Sequence, residues 1–174
     1  MSQYFSEQTP VKRVSGDLLE AKVDCIFGQY NCITITSLGL ALSTSQKYPY
    51  ADMYSHRRRY GRSNKCLSED EDKPGTCKIA KPGEGQTGPY VACLFSQHNP
   101  GKPSFSESTK QREKWFLESL TNFTQEAKDL NIKTIGIPFN IGCGLAGGNW
   151  VSYYKMIHDF ALANPQWEIS IYKI

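Results

Sequence analysis

The chain has 174 residues, of which 39% are hydrophobic and 21% charged, and this composition is typical of one globular domain rather than a disordered chain. Its formal net charge of +3 is too small to predict nucleic-acid binding by itself. No apolar run approaches the roughly 20 residues of a membrane-spanning helix, and residues 1–10 lack the basic and apolar segments of a secretory signal. We therefore expect a single intracellular domain over residues 1–174, monomeric and without membrane contact.

The first half of the chain predicts two strands followed by two short helices. We expect the strands at residues 11–15 and 23–30, and the helices at residues 40–48 and 50–59. Pro49 separates the two helices because proline interrupts helical hydrogen bonding. Residues 61–88 are polar and rich in glycine, proline and charge, and within them residues 75–80 read as a short strand.

The second half predicts three strands and two helices. We expect the strands at residues 89–96, 132–139 and 167–172, and the helices at residues 110–130 and 151–163. The longer helix is the clearest, because its apolar residues recur every three or four positions and so share one face. Strands that alternate with helices predict an α/β domain with helices on the faces of a sheet.

Residues 134–150 are the most informative part of the sequence. An apolar run typical of a buried strand is followed by the glycine loop (residues 140–149), and a helix pattern begins near Asn149. Glycine lets the backbone approach a ligand closely, and free N–H groups next to a helix N-terminus attract anions. The segment therefore predicts an anion site, with a tight turn that holds no ligand as the alternative.

Another loop, over residues 31–40, follows the strand at residues 23–30 and leads into a helix. Because it precedes the glycine loop in the chain, we call it the first loop. Ligands of open α/β sheets bind beyond the carboxyl ends of the strands. We therefore expect this loop and the glycine loop to face each other and to hold a diphosphate between them. The first loop contains threonines and a serine but a single glycine, Gly39, and its residues alone favour a polar connector equally.

The six cysteines and three histidines do not form a recognisable metal-binding pattern, since no pair of cysteines has the C-x-x-C spacing. We predict no metal and no cofactor; a zinc site built from Cys66, Cys77 and a histidine is the alternative. Cys143 lies inside the glycine loop as a small filling residue or as a nucleophile. No histidine stands at a motif-defined position to activate it.

Three segments of the sequence are informative together: residues 15–19 (SGDLL) with residues 23–26 (VDCI), residues 29–32 (QYNC), and residues 141–150 (IGCGLAGGNW). In these segments the sequence resembles macro domains, which bind ADP-ribose. The first segment resembles the opening turn and strand of the family, the second its asparagine motif and the third, most specifically, its second phosphate loop. The resemblance is strongest to the branch with terminal ADP-ribose glycohydrolases, DNA-ADP-ribose glycohydrolases and ADP-ribose 1″-phosphate phosphatase. It implies a three-layer α/β/α fold with a mixed central sheet.

The resemblance also implies ligand contacts for individual residues. Asp17 would accept a hydrogen bond from the adenine amino group, with the backbone N–H of Leu18 beside it, and Tyr172 would stack on the base. Asn31 would contact the distal ribose, with Gln97 close to it, and the glycine loop would wrap the diphosphate. The implied ligand-binding residues are Asp17, Leu18, Asn31, Gly39, Gln97, Ile141, Gly142, Cys143, Gly144, Leu145, Ala146 and Tyr172.

The sequence departs from this branch at two positions that matter for catalysis. The glycohydrolases use a lysine near the end of the strand before the long helix and an aspartate in the glycine-rich loop, whereas residues 96–98 here read SQH and Ala146 replaces the aspartate. A lysine adduct is therefore not supported. Asn31 and His98 are the candidate catalytic groups, with His98 as a general base because histidine titrates near neutral pH. A loop histidine without a role is the alternative.

Three functions remain open at this point. One is hydrolysis of an ADP-ribose derivative, at an ADP-ribosyl linkage or a 1″-phosphate, by a positioned water. Another is non-catalytic recognition of free ADP-ribose or of ADP-ribosylated protein or nucleic acid. The third is an altered macro fold that binds another nucleotide or RNA through the basic residues 56–62 (HRRRYGR), although a solvated helix end also explains a basic run.

Overall fold

The computed structural model describes residues 9–174, which form six β-strands and three α-helices. The strands are β1 (Val11–Ser15), β2 (Cys25–Asn31), β3 (Thr76–Ala80), β4 (Tyr90–Gln97), β5 (Thr134–Pro138) and β6 (Glu168–Lys173). The helices are α1 (Gly39–Lys47), α2 (Thr109–Glu126) and α3 (Trp150–Ala163). Within the described residues, no helix combines the length and the apolar character needed to cross a membrane.

The strands form one mixed sheet in the order β1-β6-β5-β2-β4-β3. All neighbouring pairs are parallel except β3 and β4, which are antiparallel and place β3 at an edge. Helices α2 and α3 cover one face of the sheet, and α1 with the turn that follows it covers the other. The predicted three-layer α/β/α fold with a mixed central sheet is confirmed.

Helix α2 supplies much of the core on its face of the sheet. Phe116, Leu120 and Phe123 are buried, and the ring of Phe123 packs edge-on against Phe27 of β2, with 4.7 Å between the ring centroids. Truncating a buried phenylalanine to alanine costs about 3–5 kcal/mol, so these contacts fix α2 on the strands. The helix ends at Glu126, before the predicted residue 130.

The predicted helix over residues 50–59 was wrong. A single 3-10 turn, Pro49–Ala51, is followed by irregular chain. The carboxylate of Asp52 accepts the backbone N–H groups two and three residues ahead of it, and such bonds compete with helical hydrogen bonds. The side chain of Arg57 then turns into the protein interior, where it is buried. Local periodicity was therefore overridden by a polar turn and a tertiary contact.

Candidate functional site

A cleft of about 530 Å³ opens at the carboxyl ends of β2, β4 and β5. Its volume lies in the range of small-molecule sites, and its position is the one expected for a ligand of an open α/β sheet. One wall is the first loop with the start of α1, and the other is the glycine loop. The lining residues include Gln29, Asn31, Thr34, Gly39, Asn64, Gln97, Lys102, Gly142, Gly144, Leu145 and Ala146.

The first wall ends in the uncapped N-terminus of α1. Leu38 is the N-cap residue and makes no side-chain capping hydrogen bond. N–H groups in the first turn of a helix have no acceptor within the helix, and those of Gly39, Leu40 and Ala41 find none elsewhere among the described residues. All three residues line the cleft. This helix end therefore presents backbone donors and a partial positive charge to an anion.

The second wall is the glycine loop, in which part of the backbone holds the turn together. Three of its N–H groups donate to carbonyl oxygens of the same loop, at 2.8–3.0 Å. The N–H groups of Gly142, Gly144, Leu145 and Ala146 have no acceptor within residues 9–174. These four residues line the cleft, so their N–H groups form a concave set of donors suited to an anion.

The glycines of this loop divide into positions that the fold requires and one that it leaves open. Gly142 has a φ of 74°, and a Cβ there would lie 2.5 Å from Tyr153 Cε2. A Cβ on Gly148 would lie 2.5 Å from the backbone oxygen of Gly142. A Cβ on Gly144 would meet no atom within 4 Å. A side chain at position 144 would therefore occupy space at the cleft without disturbing the fold.

The two walls approach each other at Gly39 and Leu145. A Cβ on Gly39 would lie 3.1 Å from Leu145 Cδ1, and Gly39 has a φ of 59°, which favours glycine. Leu38 and Leu145 remain 71% and 65% exposed. Each wall therefore carries an exposed leucine close to the place where the two walls approach each other.

Asn31 ends β2, and the two ends of its side-chain amide lie in different surroundings. Its Oδ1 accepts the N–H groups of Ile33 and Thr34 and the hydroxyl of Thr34, at 2.9–3.1 Å. The two backbone N–H groups fix the orientation of the amide, because its oxygen can accept their hydrogen bonds and its nitrogen cannot. Its Nδ2 has no acceptor among the residues that the structure describes. Asn31 lines the cleft, so this NH₂ group is available to a ligand.

Polar side chains from β2 and β4 form a hydrogen-bonded chain beside Asn31. Ser96 Oγ donates to Gln29 Oε1 at 2.6 Å, and Gln29 Nε2 donates to Gln97 Oε1 at 2.6 Å. Gln97 Nε2 donates in turn to the backbone oxygen of Asn99 at 2.9 Å. Gln29 and Gln97 both line the cleft, so the strands present fixed amides to it rather than titratable groups.

A buried arginine holds the first loop in place. Arg57 donates to the backbone oxygens of Asn31 and Thr34 at 3.1 and 2.8 Å, and to the carboxylate of Asp72 at 2.7 Å. Its side chain is 1% exposed and lies over the ring of Tyr54, 4.8 Å from the centroid. The position of the first loop therefore depends on this guanidinium.

The basic residues 56–62 do not form one continuous basic surface. Arg57 is buried, and Arg58 donates two hydrogen bonds to the two carboxylate oxygens of Asp70, each at 2.9 Å. Arg59 and Arg62 are exposed. The helix expected over residues 50–59, whose end would have displayed these basic residues together, is not formed. The structure therefore does not favour RNA binding through a basic patch at residues 56–62.

A second buried arginine holds the opposite wall. Arg112 of α2 pairs with Glu107 at 2.7 Å, and each side chain is 3% exposed. Arg112 also donates to the backbone oxygens of Asn99, Gly101 and Ala146, at 2.7–3.2 Å. Burial alone would raise the pKa of Glu107, but hydrogen bonds from Asn99 and Arg112 lower it, so the carboxylate stays ionised. The pair therefore joins the loop after β4 to the glycine loop.

Residues 61–72 belong to the polar segment over residues 61–88, whose position the sequence did not predict, and they pack along the first loop. The backbone oxygen of Asn64 accepts the N–H of Ile35 at 3.0 Å, and its side-chain oxygen accepts the hydroxyl of Thr36 at 2.7 Å. Cys66 donates its N–H to the same loop at 2.8 Å. Asn64 also lines the cleft, although no local sequence pattern indicated it.

Lys102 brings a cation to the cleft that the sequence analysis missed. It lies in the loop between β4 and α2 and lines the cleft. Its Cγ lies 3.1 Å from the position of a Cβ on Gly147, so it borders the glycine loop. Within the described chain Lys102 takes part in no ion pair. Residues 96–98 lack the lysine that the resembled glycohydrolases use, but Lys102, four residues later, lines the same cleft.

The structure brings most of the predicted ligand residues together in the cleft. Leu18 and Tyr172 lie beside it, since their side-chain atoms are 2.7 and 3.2 Å from the position of a Cβ on Gly136. Pro138, on the same face of β5, lines the cleft. Asp17 is exposed and caps a 3-10 turn by accepting an N–H at 2.9 Å. The predicted residues that line the cleft are Asn31, Gly39, Gln97, Ile141, Gly142, Gly144, Leu145 and Ala146.

Cys143 and His98 do not belong to the lining of the cleft. Burial raises the pKa of the Cys143 thiol to about 11, and the charge of Glu113 adds to this, so the nucleophilic thiolate is not formed at neutral pH. His98 Nε2 lies 3.4 Å from Glu71 Oε1. The imidazole therefore contacts the acidic segment before β3, and neither side chain supplies a base or a nucleophile to the cleft.

The lining of the cleft, as far as the structure describes it, contains no carboxylate, imidazole or thiol. Its titratable side chains are Lys102 and Tyr54, and burial raises the pKa of Tyr54 well above its usual range. No cluster of three or more His, Cys, Asp or Glu side chains that would suit a metal ion occurs in residues 9–174. The cleft thus offers neutral donors and one lysine, which suits an anion.

No protein-family model and no curated protein sequence matches the chain, but its structure is similar to solved macrodomains. The macrodomain of Mycobacterium tuberculosis DarG has a TM-score of 0.70 at 20% identity, and the match covers 94% of this chain and 97% of that one. The macrodomain of Thermus aquaticus DarG has a TM-score of 0.69 at 20% identity, and the match covers 94% of this chain and 98% of that one. A Trypanosoma brucei macrodomain in complex with ADP-ribose has a TM-score of 0.60 at 11% identity, and the match covers 94% of this chain and 62% of that one. At these identities the similarity establishes the fold, and the chain therefore has the macrodomain fold.

Proposed function

We propose that the cleft binds ADP-ribose, either free or as the ADP-ribosyl group of a protein or nucleic acid. The observation that carries this proposal is the opposition of two sets of free backbone donors. The glycine loop contributes the N–H groups of Gly142, Gly144, Leu145 and Ala146, and the first turn of α1 contributes three more. A diphosphate between them would receive donors from both sides, and no described residue of the lining is a carboxylate.

Two solved structures with the same fold support this ligand. The Trypanosoma brucei macrodomain was solved in complex with ADP-ribose, and so was Thermosipho africanus DarTG, whose match has a TM-score of 0.62 and 16% identity and covers 92% of this chain and 41% of that one. In this chain the adenine would lie towards Leu18 and Tyr172, which border the cleft through Gly136 and Pro138. Asp17, at the start of the same turn, would accept the hydrogen bond from the adenine amino group.

We further propose that the protein hydrolyses a bond at the distal ribose, either an ADP-ribosyl linkage or a 1″-phosphate. A water molecule oriented by the free Nδ2 of Asn31 would add to C1″ of the distal ribose, or to the phosphorus of a 1″-phosphate, as the bond to the leaving group breaks. Its proton would pass through solvent to the leaving group. The ammonium of Lys102 with the loop N–H groups would stabilise the negative charge that develops on the leaving group or on the phosphate oxygens. Because no carboxylate or imidazole lines the described cleft, general-base assistance is weak and turnover should be slow.

Recognition of ADP-ribose without turnover is the second candidate function. It is favoured because no carboxylate or imidazole lines the described cleft, so no such side chain there can take a proton from an attacking water molecule. Binding and turnover therefore need separate experiments.

Titration calorimetry with ADP-ribose, AMP, ATP and ribose 5-phosphate tests the binding proposal. ADP-ribose should bind most tightly, because it alone combines an adenine, a diphosphate and a distal ribose. ATP binding as tightly as ADP-ribose, or no binding of ADP-ribose, would contradict the proposal.

Turnover is tested by incubating the protein with ADP-ribose 1″-phosphate, ADP-ribosylated protein and ADP-ribosylated DNA, and measuring the release of phosphate or ADP-ribose. Slow release from one substrate is expected, and no adduct at Lys102 should be trapped by borohydride. Lys102→Met should lower the rate, whereas Lys155→Met, which removes an exposed lysine on α3, should not. Tight binding of ADP-ribose without any release would leave recognition as the function.

A further inference from the structure

A second cleft, of about 300 Å³, lies on the α3 face of the sheet at the carboxyl ends of β1 and β6. Arg13 comes from β1 and Lys173 from β6, while Trp150 and Tyr154 come from α3. Phe139, after β5, lines this cleft and the first one. The second cleft is therefore adjacent to the proposed ADP-ribose site but lies on the other side of Phe139.

The side chains of this second cleft form a row of three aromatic rings with a cation at each end. Arg13 Cζ lies 5.4 Å from the ring centroid of Tyr154. The rings of Tyr154 and Trp150 are 6.1 Å apart, and those of Trp150 and Phe139 are 5.0 Å apart. Lys173 Nζ lies 4.5 Å from the centroid of Phe139. The row therefore offers stacking surface and positive charge together.

The two cations come from neighbouring strands and from the same face of the sheet. β1 and β6 are parallel neighbours, and Arg13 is in register with Ile171. Lys173 follows Ile171 by two positions and so lies on the same face of the sheet. A group above this edge of the sheet would therefore face both side chains.

No carboxylate neutralises these cations within residues 9–174. Arg13 and Lys173 take part in no ion pair there, whereas Lys12, the neighbour of Arg13 on β1, pairs with Glu168 at 2.8 Å. The side-chain donors of Trp150 and Tyr154 are also half-buried and are without a hydrogen-bond partner in the described chain. The cleft is thus complementary to an anion that carries a flat ring.

We propose that the second cleft binds a nucleoside monophosphate group, with its base against the aromatic row and its phosphate held by Arg13 and Lys173. Stacking on aromatic side chains accepts any base, because every base has a flat π face. Arginine and lysine form charge-assisted hydrogen bonds to phosphate oxygens. The group comes from a free nucleotide or from a nucleotide unit of a single strand. This inference stands independently of the ligand in the first cleft.

The test is a titration of the full chain with UMP, followed by NMR of the tryptophan indole N–H groups. Trp150→Phe identifies the Trp150 resonance by its disappearance. UMP should shift this resonance in a saturable way and leave those of Trp115 and Trp167, which do not line the cleft, in place. Arg13→Gln and Lys173→Gln, both exposed positions, should each weaken UMP binding by about tenfold or more.

Lys12→Gln is the matched control, because it removes the same charge from the adjacent residue of β1 on the opposite face of the sheet. It should leave the UMP titration unchanged. An unshifted Trp150 resonance, or an equal affinity in Lys12→Gln and Arg13→Gln, would overturn the proposal.

A parallel titration with a uridine tetranucleotide distinguishes the two sources of the group. Binding at least about tenfold tighter than UMP, with the same loss in Lys173→Gln, would identify a nucleotide unit of a strand as the ligand. Equal affinities would identify the free nucleotide. A tetranucleotide that binds without any effect of Arg13→Gln or Lys173→Gln would overturn the assignment to this cleft.

Discussion

The guanidinium of Arg112 donates a hydrogen bond to the backbone oxygen of Ala146 over 3.2 Å, so helix α2 holds the glycine loop directly. The same side chain bonds the carbonyl oxygens of Asn99 and Gly101, and Glu107 balances its charge. The position of the free N–H groups that face the cleft therefore depends on a buried ion pair.

Arg112→Met should lower the free energy of unfolding by about 3–5 kcal/mol, because it leaves the Glu107 carboxylate buried without its cation. Denaturant unfolding followed by circular dichroism measures this loss. The double variant Arg112→Met with Glu107→Gln should recover part of it, since no unpaired charge remains. An Arg112→Met protein as stable as the wild type would show that the pair does not hold the loops.

Glu107 also predicts a pH dependence of stability. Hydrogen bonds from Asn99 and Arg112 lower its pKa in the folded protein against the opposing effect of burial. The unfolded state therefore takes up a proton at higher pH than the folded state. The contribution of Glu107 is complete above the ordinary glutamate pKa of about 4.3 and is lost as the pH falls through the lowered folded value.

Unfolding of the wild type and of Glu107→Gln across about pH 3 to pH 7 measures this dependence. The difference in unfolding free energy between the two proteins should be largest near neutral pH and should shrink on acidification. A difference that stays constant over this range would exclude Glu107 as the titrating group.

Asn31→Asp should separate the structural role of Asn31 from its proposed ligand role. Aspartate keeps the oxygen that accepts the N–H groups of Ile33 and Thr34, but it replaces the NH₂ donor with a negative charge at the cleft. We expect an unchanged melting temperature and an affinity for ADP-ribose that falls by about tenfold or more.

Asn31→Ala is the contrasting variant, because it also removes the acceptor of the loop and should cost about 1–3 kcal/mol of stability. Normal ADP-ribose binding by Asn31→Asp would mean that Nδ2 does not contact the ligand.

Asp17→Ala should weaken ADP-ribose by about 1.5–3 kcal/mol but leave ribose 5-phosphate unaffected, because only ADP-ribose carries a base. Asp17→Asn serves as the control for folding, since its side-chain oxygen can still cap the 3-10 turn that follows. Titration calorimetry with ADP-ribose and with ribose 5-phosphate measures the loss of affinity for each ligand. Equal losses for the two ligands would show that Asp17 acts only through the turn.

The sequence predicted the elements whose signals are local. The apolar periodicity of residues 110–130 predicted a helix, which is α2 in the structure. The apolar run before the glycine loop predicted a strand, which is β5. The exposed N-terminus of α1 follows from a loop without a capping residue at Leu38. Helix α3 begins next to Asn149, as expected. However, the side chain of Asn149 accepts the N–H of Ser152 and neither residue lines the cleft, so this helix end does not supply donors to the anion site.

The supports of the cleft were not predictable from the sequence, because they join residues that are distant along the chain. Arg112 and Ala146 are 34 positions apart, and Arg57 and Asn31 are 26 positions apart. An arginine in a polar segment usually lies in solvent, and nothing local distinguishes one that is buried under a loop. Lys102 was missed for a similar reason, since only the path of the loop after β4 brings it to the cleft.

Titration calorimetry of ADP-ribose with the Gly144→Val protein tests the central claim most directly, that the ligand lies between the glycine loop and α1. A Cβ at position 144 meets no atom within 4 Å, whereas a Cβ at position 142 would lie 2.5 Å from Tyr153, so Gly142→Val is the contrasting variant that should destabilise the fold. Gly144→Val should fold with the melting temperature of the wild type and lose ADP-ribose binding. Unchanged affinity of a folded Gly144→Val protein would contradict the account, because the ligand would then lie elsewhere.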